Sequence, residues 1–159
     1  GLAIASRVKD AKVTLADLSQ KALNVAKQNV ALNHMTGRVR CFQADAIKPV
    51  PAFLGKFDMI ISNPPYITGQ EMKELPRSVS DFEPHMALYG GEDGLDFYRR
   101  IIPLYSPKLK EVGQLIFELD GNQAEYTKAL MKAANYKDIE IFDDLGGIHR
   151  AIKGTLFEF

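Results

Sequence analysis

The chain has 159 residues, is 46% hydrophobic, and balances 20 Lys and Arg against 20 Asp and Glu. That is about one domain's worth of sequence, with enough apolar material for a core. A formal net charge of zero speaks against an affinity built on many phosphate contacts, and a charged fraction of 25% speaks against global disorder. The single cysteine, Cys41, excludes an internal disulfide and argues against a cysteine-based zinc site. No apolar run approaches the length of a membrane helix, and Arg7, Lys9 and Asp10 behind the apolar start do not fit a signal peptide. The expectation is a soluble, cytoplasmic, single domain over residues 1–159.

In chain order, Lys12 to Asp17 reads as a strand ending in an acid. Ser19 is placed to cap a helix running to about Asn33, with Leu23, Ala26 and Val30 on its inner face and Gly37 as a stop. Arg38 to Ala44 reads as a second strand, and Lys48 to Gly55, with two prolines, as a loop. Phe57 to Ile61 is a short apolar run, expected to be a strand buried on both faces, and it leads straight into Asn63-Pro64-Pro65-Tyr66. From Ile67 to Gly94 no period is clear; a stretch of that length inside a domain is often functional. Leu95 to Lys110 reads as a helix broken or kinked at Pro103 and Pro107, and Gln114 to Leu119 as a strand. Gln123 to Ala134 reads as a helix with Tyr126, Leu130 and Ala133 on one face. Ile139 to Phe142 alternates, and after Gly146-Gly147 the segment Ala151 to Phe159 returns as a hairpin partner.

Strands alternating with helices predict an α/β fold, a mostly parallel sheet with helices on both faces and an antiparallel hairpin at the end. Ligands bind beyond the carboxyl ends of such strands. Asp17, Asp45 and Asn63 each stand at or just after such an end. Asp17 is either a ribose acceptor of a nucleoside cofactor or an acid favoured at a helix start. Asp45 either meets an adenine amino group or bonds its own backbone in a turn.

Asn63-Pro64-Pro65-Tyr66 carries the sharpest signal. Both prolines stiffen the backbone and lack an N–H, so the stretch presents carbonyl acceptors, to which the Asn side chain adds another. Two rigid acceptors suit the two hydrogens of a planar NH2 group, and Tyr66 offers a face for stacking. Holding both hydrogens aims the nitrogen lone pair at an electrophilic methyl carbon, which is catalysis by positioning rather than by a strong base. His34, His85 and His149 have no metal-like spacing and are expected at the surface or in loops; no metal site is expected. Asp143-Asp144 reads as a solvated turn, Glu71, Lys73 and Glu74 as an exposed stretch, and Cys41 as a small core residue.

Further segments extend the pattern. They are Ala16-Asp17-Leu18-Ser19 with Ala22-Leu23, Ile67 after the tetrad, Phe82-Glu83-Pro84, and Ala87 through Leu95 with its Gly90-Gly91-Glu92-Asp93-Gly94 core. Glu118 with Gln123, and Asp144 through Arg150, follow. Together they resemble the HemK/PrmC family, glutamine N5-methyltransferases of peptide chain release factors. The resemblance implies a Rossmann-like class I methyltransferase fold, S-adenosyl-L-methionine as donor, and a glutamine in a Gly-Gly-Gln loop of a release factor as acceptor. By match, Asp17 and Leu18 hold the donor's ribose side, Asp45 and Ala46 flank its adenine, and Asn63 to Tyr66 hold the acceptor amide, with Asn63 also at the donor.

Two departures stand out. Asp120 occupies a position where glycine is expected, and the family's glycine-rich loop is absent unless Gly1 is its last glycine. Asp17 lies only sixteen residues after Gly1 (17 − 1), against about 20 from such a loop to its ribose acid. Gly1 to Arg7 is then expected to be the start of the helix after the loop, with the first, central strand and a helical N-terminal domain upstream, and the chain alone is expected to bind the donor weakly or not at all. The alternatives are an adenine N6 amino methyltransferase of DNA or RNA, since the tetrad suits any planar NH2, and an inactive fragment or binding module.

Overall fold

The computed structural model describes residues 1–76 and 84–157. The chain divides into two compact units, Gly1–Lys48 and Pro49–Phe159.

In the first unit α1 (Leu2–Arg7) is followed by β1 (Val13–Asp17), α2 (Gln20–Leu32) and β2 (Val39–Gln43). The two strands pair in parallel, from Val13 opposite Val39 to Asp17 opposite Gln43, which a helical crossover between them requires. The Ser19 hydroxyl accepts from the Ala22 N–H at 3.3 Å and caps α2 as its sequence position predicts. Leu23 and Val30 are buried on the inner face, with Ala26 half-buried. The helix stops before Gly37: Asn33 closes it and His34 takes a left-handed φ of 56°. Ala5, Val30, Met35 and Val39 form the core, with Leu2, Val13, Leu15 and Cys41 packed against it.

The second unit holds β3 (Phe57–Ser62), α3 (Gly69–Glu74), α4 (His85–Leu88), α5 (Asp96–Tyr105), β4 (Leu109–Glu118), α6 (Ala124–Ala133), β5 (Tyr136–Asp143) and β6 (His149–Leu156). Its four strands run in the order β3-β4-β6-β5. β3 and β4 are parallel, while β6 pairs antiparallel with both β4 and β5. The expected C-terminal hairpin is present. The described strands form two sheets, and of their four pairings β1·β2 and β3·β4 are parallel. Tyr98, Ile101, Leu115, Phe117, Met131 and Ile152 are almost fully buried, and each such side chain contributes on the order of 1.5–3 kcal/mol.

Several expectations are corrected here. β3 is not buried on both faces: it is the edge of its sheet, and Met59 and Ile61 remain 42% and 52% exposed. β4 begins at Leu109, five residues earlier than its apolar run suggests, because Val112 adopts a φ of 58° and the register with β3 jumps between Phe57 and Met59. α5 therefore ends at Tyr105, with Pro103 inside it and a short 3-10 turn over Ser106–Lys108. The buried face of α6 carries Ala124, Thr127 and Met131, while Tyr126 is 67% exposed. Both triplets have helical spacing, and the phenol's polar end suits the wet side. The periodless stretch contains α3, opened by a Thr68/Glu71 capping box, a sequence signal independent of any apolar period. Phe82 and Glu83 lie outside the described residues.

Candidate functional site

The tetrad begins one residue after β3 ends at Ser62, so the sheet delivers it to a strand's carboxyl end. Asn63 is exposed, Pro64 is buried, and Pro65 and Tyr66 are half-buried. A polar head is thus presented on an anchored proline. Behind it, Ile67 forms a parallel bridge with Tyr89: the Ile67 N–H donates to Leu88 O and the Gly90 N–H to Ile67 O, both at 2.9 Å.

Glycines make this approach possible. A β-carbon at position 90 would stand 2.6 Å from Tyr66 Cα and 2.7 Å from Pro65 O. Gly94 has φ +73°, and a β-carbon there would overlap both Tyr66 O and Gln123 Nε2. Asp93 holds this turn onto α5 through a double hydrogen bond to the Arg99 guanidinium at 2.9 and 2.6 Å, which keeps its carboxyl below the usual carboxylate range. From the far side Gln123 Nε2 donates to Tyr66 O at 2.7 Å. Burial pushes the Tyr98 phenol up, with Tyr66, Glu118 and Asp120 adding to the shift.

Asp120, standing where glycine was expected, accepts from the Asn122 N–H at 3.2 Å and caps the turn leading to Gln123. It also pairs with Arg150 at 3.7 Å. Arg150 bonds Asp144 as well, at 3.0 Å, and these carboxylates raise its affinity for the proton, Asp144 most. Asp144 accepts from the Gly146 and Ile148 N–H groups across the β5–β6 turn. Asp143 bonds His149 instead, so the two adjacent acids serve a hairpin turn.

In the first unit Asp17, Leu18, Asp45 and Ala46 gather at the carboxyl end of the β1–β2 pair. Asp17 Oδ1 accepts from the Ser19 N–H at 2.7 Å, and the Ala44 N–H donates to Asp17 O at 3.1 Å. Gln43 Nε2 bonds Leu18 O across the two strands at 3.0 Å. Asp45 Oδ1 accepts from the Ile47 N–H at 3.0 Å, the local turn that was one of its two readings. Asp17 and Leu18 are exposed, while Asp45 and Ala46 are half-buried. Among the described residues no group of three or more His, Cys, Asp or Glu side chains is placed to hold a metal ion, and no helix is long and apolar enough to cross a membrane.

Gly90, Gly94 and Gln123 belong to the resemblance but carry no role legible in the sequence, and the structure brings all three against Tyr66. Tyr98, to which no sequence motif points, completes the group. The Gly-Gly-x-x-Gly spacing was the available signal; for Tyr98 and Gln123, 25 residues apart, there was none.

Residues 1–78 match the family described as methyltransferase small domain. A release factor glutamine methyltransferase of Clostridium acetobutylicum is 36% identical over 159 residues, covering 98% of this chain and 56% of its own length. One from Rhodopirellula baltica is 37% identical, covering 95% and 51%. The chain thus spans about half the length of the curated relatives it matches. Among solved structures, a methyltransferase from Pyrococcus furiosus superposes with a TM-score of 0.70 at 17% identity, covering 99% of this chain and 68% of that one. The ribosomal protein L11 methylase of Lactobacillus delbrueckii subsp. bulgaricus gives 0.64 at 21% identity, covering 99% and 64%. These neighbours share the class I methyltransferase fold. Over nearly its whole length the chain is thus similar in sequence to release factor glutamine methyltransferases, and its fold is that of the methyltransferase structures it superposes on.

Proposed function

We propose that the protein methylates the side-chain amide of a glutamine in peptide chain release factors, with S-adenosylmethionine as donor. The observation that carries this reading is the proline-stiffened Asn63–Tyr66 segment, held by a glycine cradle at the carboxyl end of β3. The names of the sequence relatives supply the substrate class.

In this reading the Asn63 side-chain oxygen and the Pro64 carbonyl accept the two hydrogens of the glutamine amide, and Tyr66 stacks against the amide plane. The Tyr66 carbonyl is already engaged by Gln123, which leaves the upstream acceptors for substrate. Holding both hydrogens disfavours conjugation and turns the nitrogen lone pair outward; the nitrogen gains the methyl and releases one proton. The bound donor supplies an electrophilic methyl on sulfur. The residues at the end of β1 and β2 fit such a donor. Asp17 is exposed and uses one oxygen locally, consistent with a carboxylate offered to ribose hydroxyls, and Asp45 and Ala46 flank the same strand end.

The test is transfer of labelled methyl from S-adenosylmethionine to a release factor by the intact protein. Label is expected on the wild-type release factor and not on one whose Gly-Gly-Gln glutamine is replaced. Persistence of label on that variant would refute the assignment. Label on duplex DNA or RNA instead would favour the adenine reading, since adenine also presents a planar NH2.

A further inference from the structure

We propose that Gln123 is a positioning residue for the acceptor clamp: by donating to the Tyr66 carbonyl, its carboxamide fixes where Asn63–Tyr66 holds the substrate nitrogen. This rests on the reading that the segment binds the acceptor amide.

The side chain is buried, 6% exposed, and stands 57 residues from the segment it grips. Its Nε2 donates to Tyr66 O at 2.7 Å and lies 3.3 Å from Gly94 O. Its Oε1 lies 3.4 Å from both the Asp120 N–H and the Tyr98 hydroxyl, which gives its proton to Glu118 O at 3.0 Å. Two carbonyl acceptors on one side and the Asp120 N–H donor on the other allow only one orientation of the amide. The shortest of these bonds is the one to the clamp.

A purely local role is also present, because Gln123 closes the capping box of the Asp120 turn. Glutamate fills that place in a capping box as well as glutamine does. The two roles therefore part at one atom. Capping uses Oε1 as acceptor, whereas holding Tyr66 requires a donor. A carboxylate at 123 would keep the cap and set negative charge against two carbonyls; once protonated, it would recover one donor. The titratable groups around the position are Tyr98 on α5, Glu118 at the end of β4, Asp120 in the turn, Arg150 on β6 and Tyr66 itself. Burial and the facing carbonyls hold such an acid neutral to higher pH than in solvent.

The experiment compares wild type, Gln123→Met and Gln123→Glu in the intact protein. It measures kcat and KM for release factor and the affinity for S-adenosylmethionine, with circular dichroism melts as a check on folding. Gln123→Met is expected to lose about tenfold to a hundredfold in kcat, with donor affinity kept within about twofold. For Gln123→Glu, kcat relative to wild type is expected to rise about fivefold or more from about pH 8 to about pH 5.5 as the acid regains its proton. A wild-type kcat in Gln123→Met, or a ratio flat with pH in Gln123→Glu, would overturn the positioning role while leaving the acceptor reading intact. Failure of both variants to fold would assign Gln123 to stability alone and overturn it too. A wild type that transfers nothing to release factor would remove the acceptor reading, and this role with it.

Discussion

The two strand-end clusters are held in place by opposite means. In the first unit, Asp17 bonds the backbone two residues on at Ser19, Asp45 does the same at Ile47, and Ser19 reaches Ala22. In the second unit Tyr66 is fixed by Gln123, 57 residues away, and by Gly90 and Gly94. A cluster built from near neighbours in sequence forms with its own loop. One built from distant neighbours forms only when α5, β4 and the turn before α6 have already packed. The first cluster is expected to tolerate change at its margins; the second is expected to fail as a unit.

The sharpest way to break that contrast is Gly94→Ala. A methyl group at φ +73° that overlaps both Tyr66 O and Gln123 Nε2 is expected to destabilise the protein by about 2–5 kcal/mol. Denaturant unfolding measures this, and an unchanged midpoint would mean that the cradle yields freely. Asn63→Ala comes next. Asn63 is exposed, so stability should stay within about 0.5 kcal/mol. Methyl transfer should fall about a hundredfold or more if its oxygen orients the acceptor, as initial rates with release factor would show. In the first unit Ser19→Ala removes one local bond and should cost about 1 kcal/mol, seen in the thermal midpoint.

The smallest effect concerns the β5–β6 turn. Asp144 is held below the usual carboxylate range, first by the Ile148 N–H and then by Arg150. A lowered folded-state pKa stabilises the protein above the unfolded value of about 3.9, and that stability is lost as pH falls through the folded value. Melting curves taken down through that window should show a modest acid loss that Asp144→Asn lacks.

The same contrast explains what the sequence disclosed. Ser19, Asp17 and the β1–α2–β2 succession were evident because cap, acid and period all lie within a few residues. The tetrad was evident because proline restricts the backbone wherever it stands. Gln123 and Tyr98 were not, because nothing near either one in sequence says that they meet. Which face of α6 is buried was not legible for a related reason: two triplets share the helical period, and only packing chooses between them. β3 was expected to be covered on both faces because its composition is apolar, but composition does not say what lies beside a strand.

That last point bears on handling. Among the described strands β3 pairs with β4, at the edge of its sheet, and the side chains of Met59 and Ile61 stand exposed there. Charge guards one end, where Lys110 meets Asp58 at 2.9 Å. Met59 and Ile61 make this flank the stretch of the described sheet where added charge would most oppose strand-to-strand association.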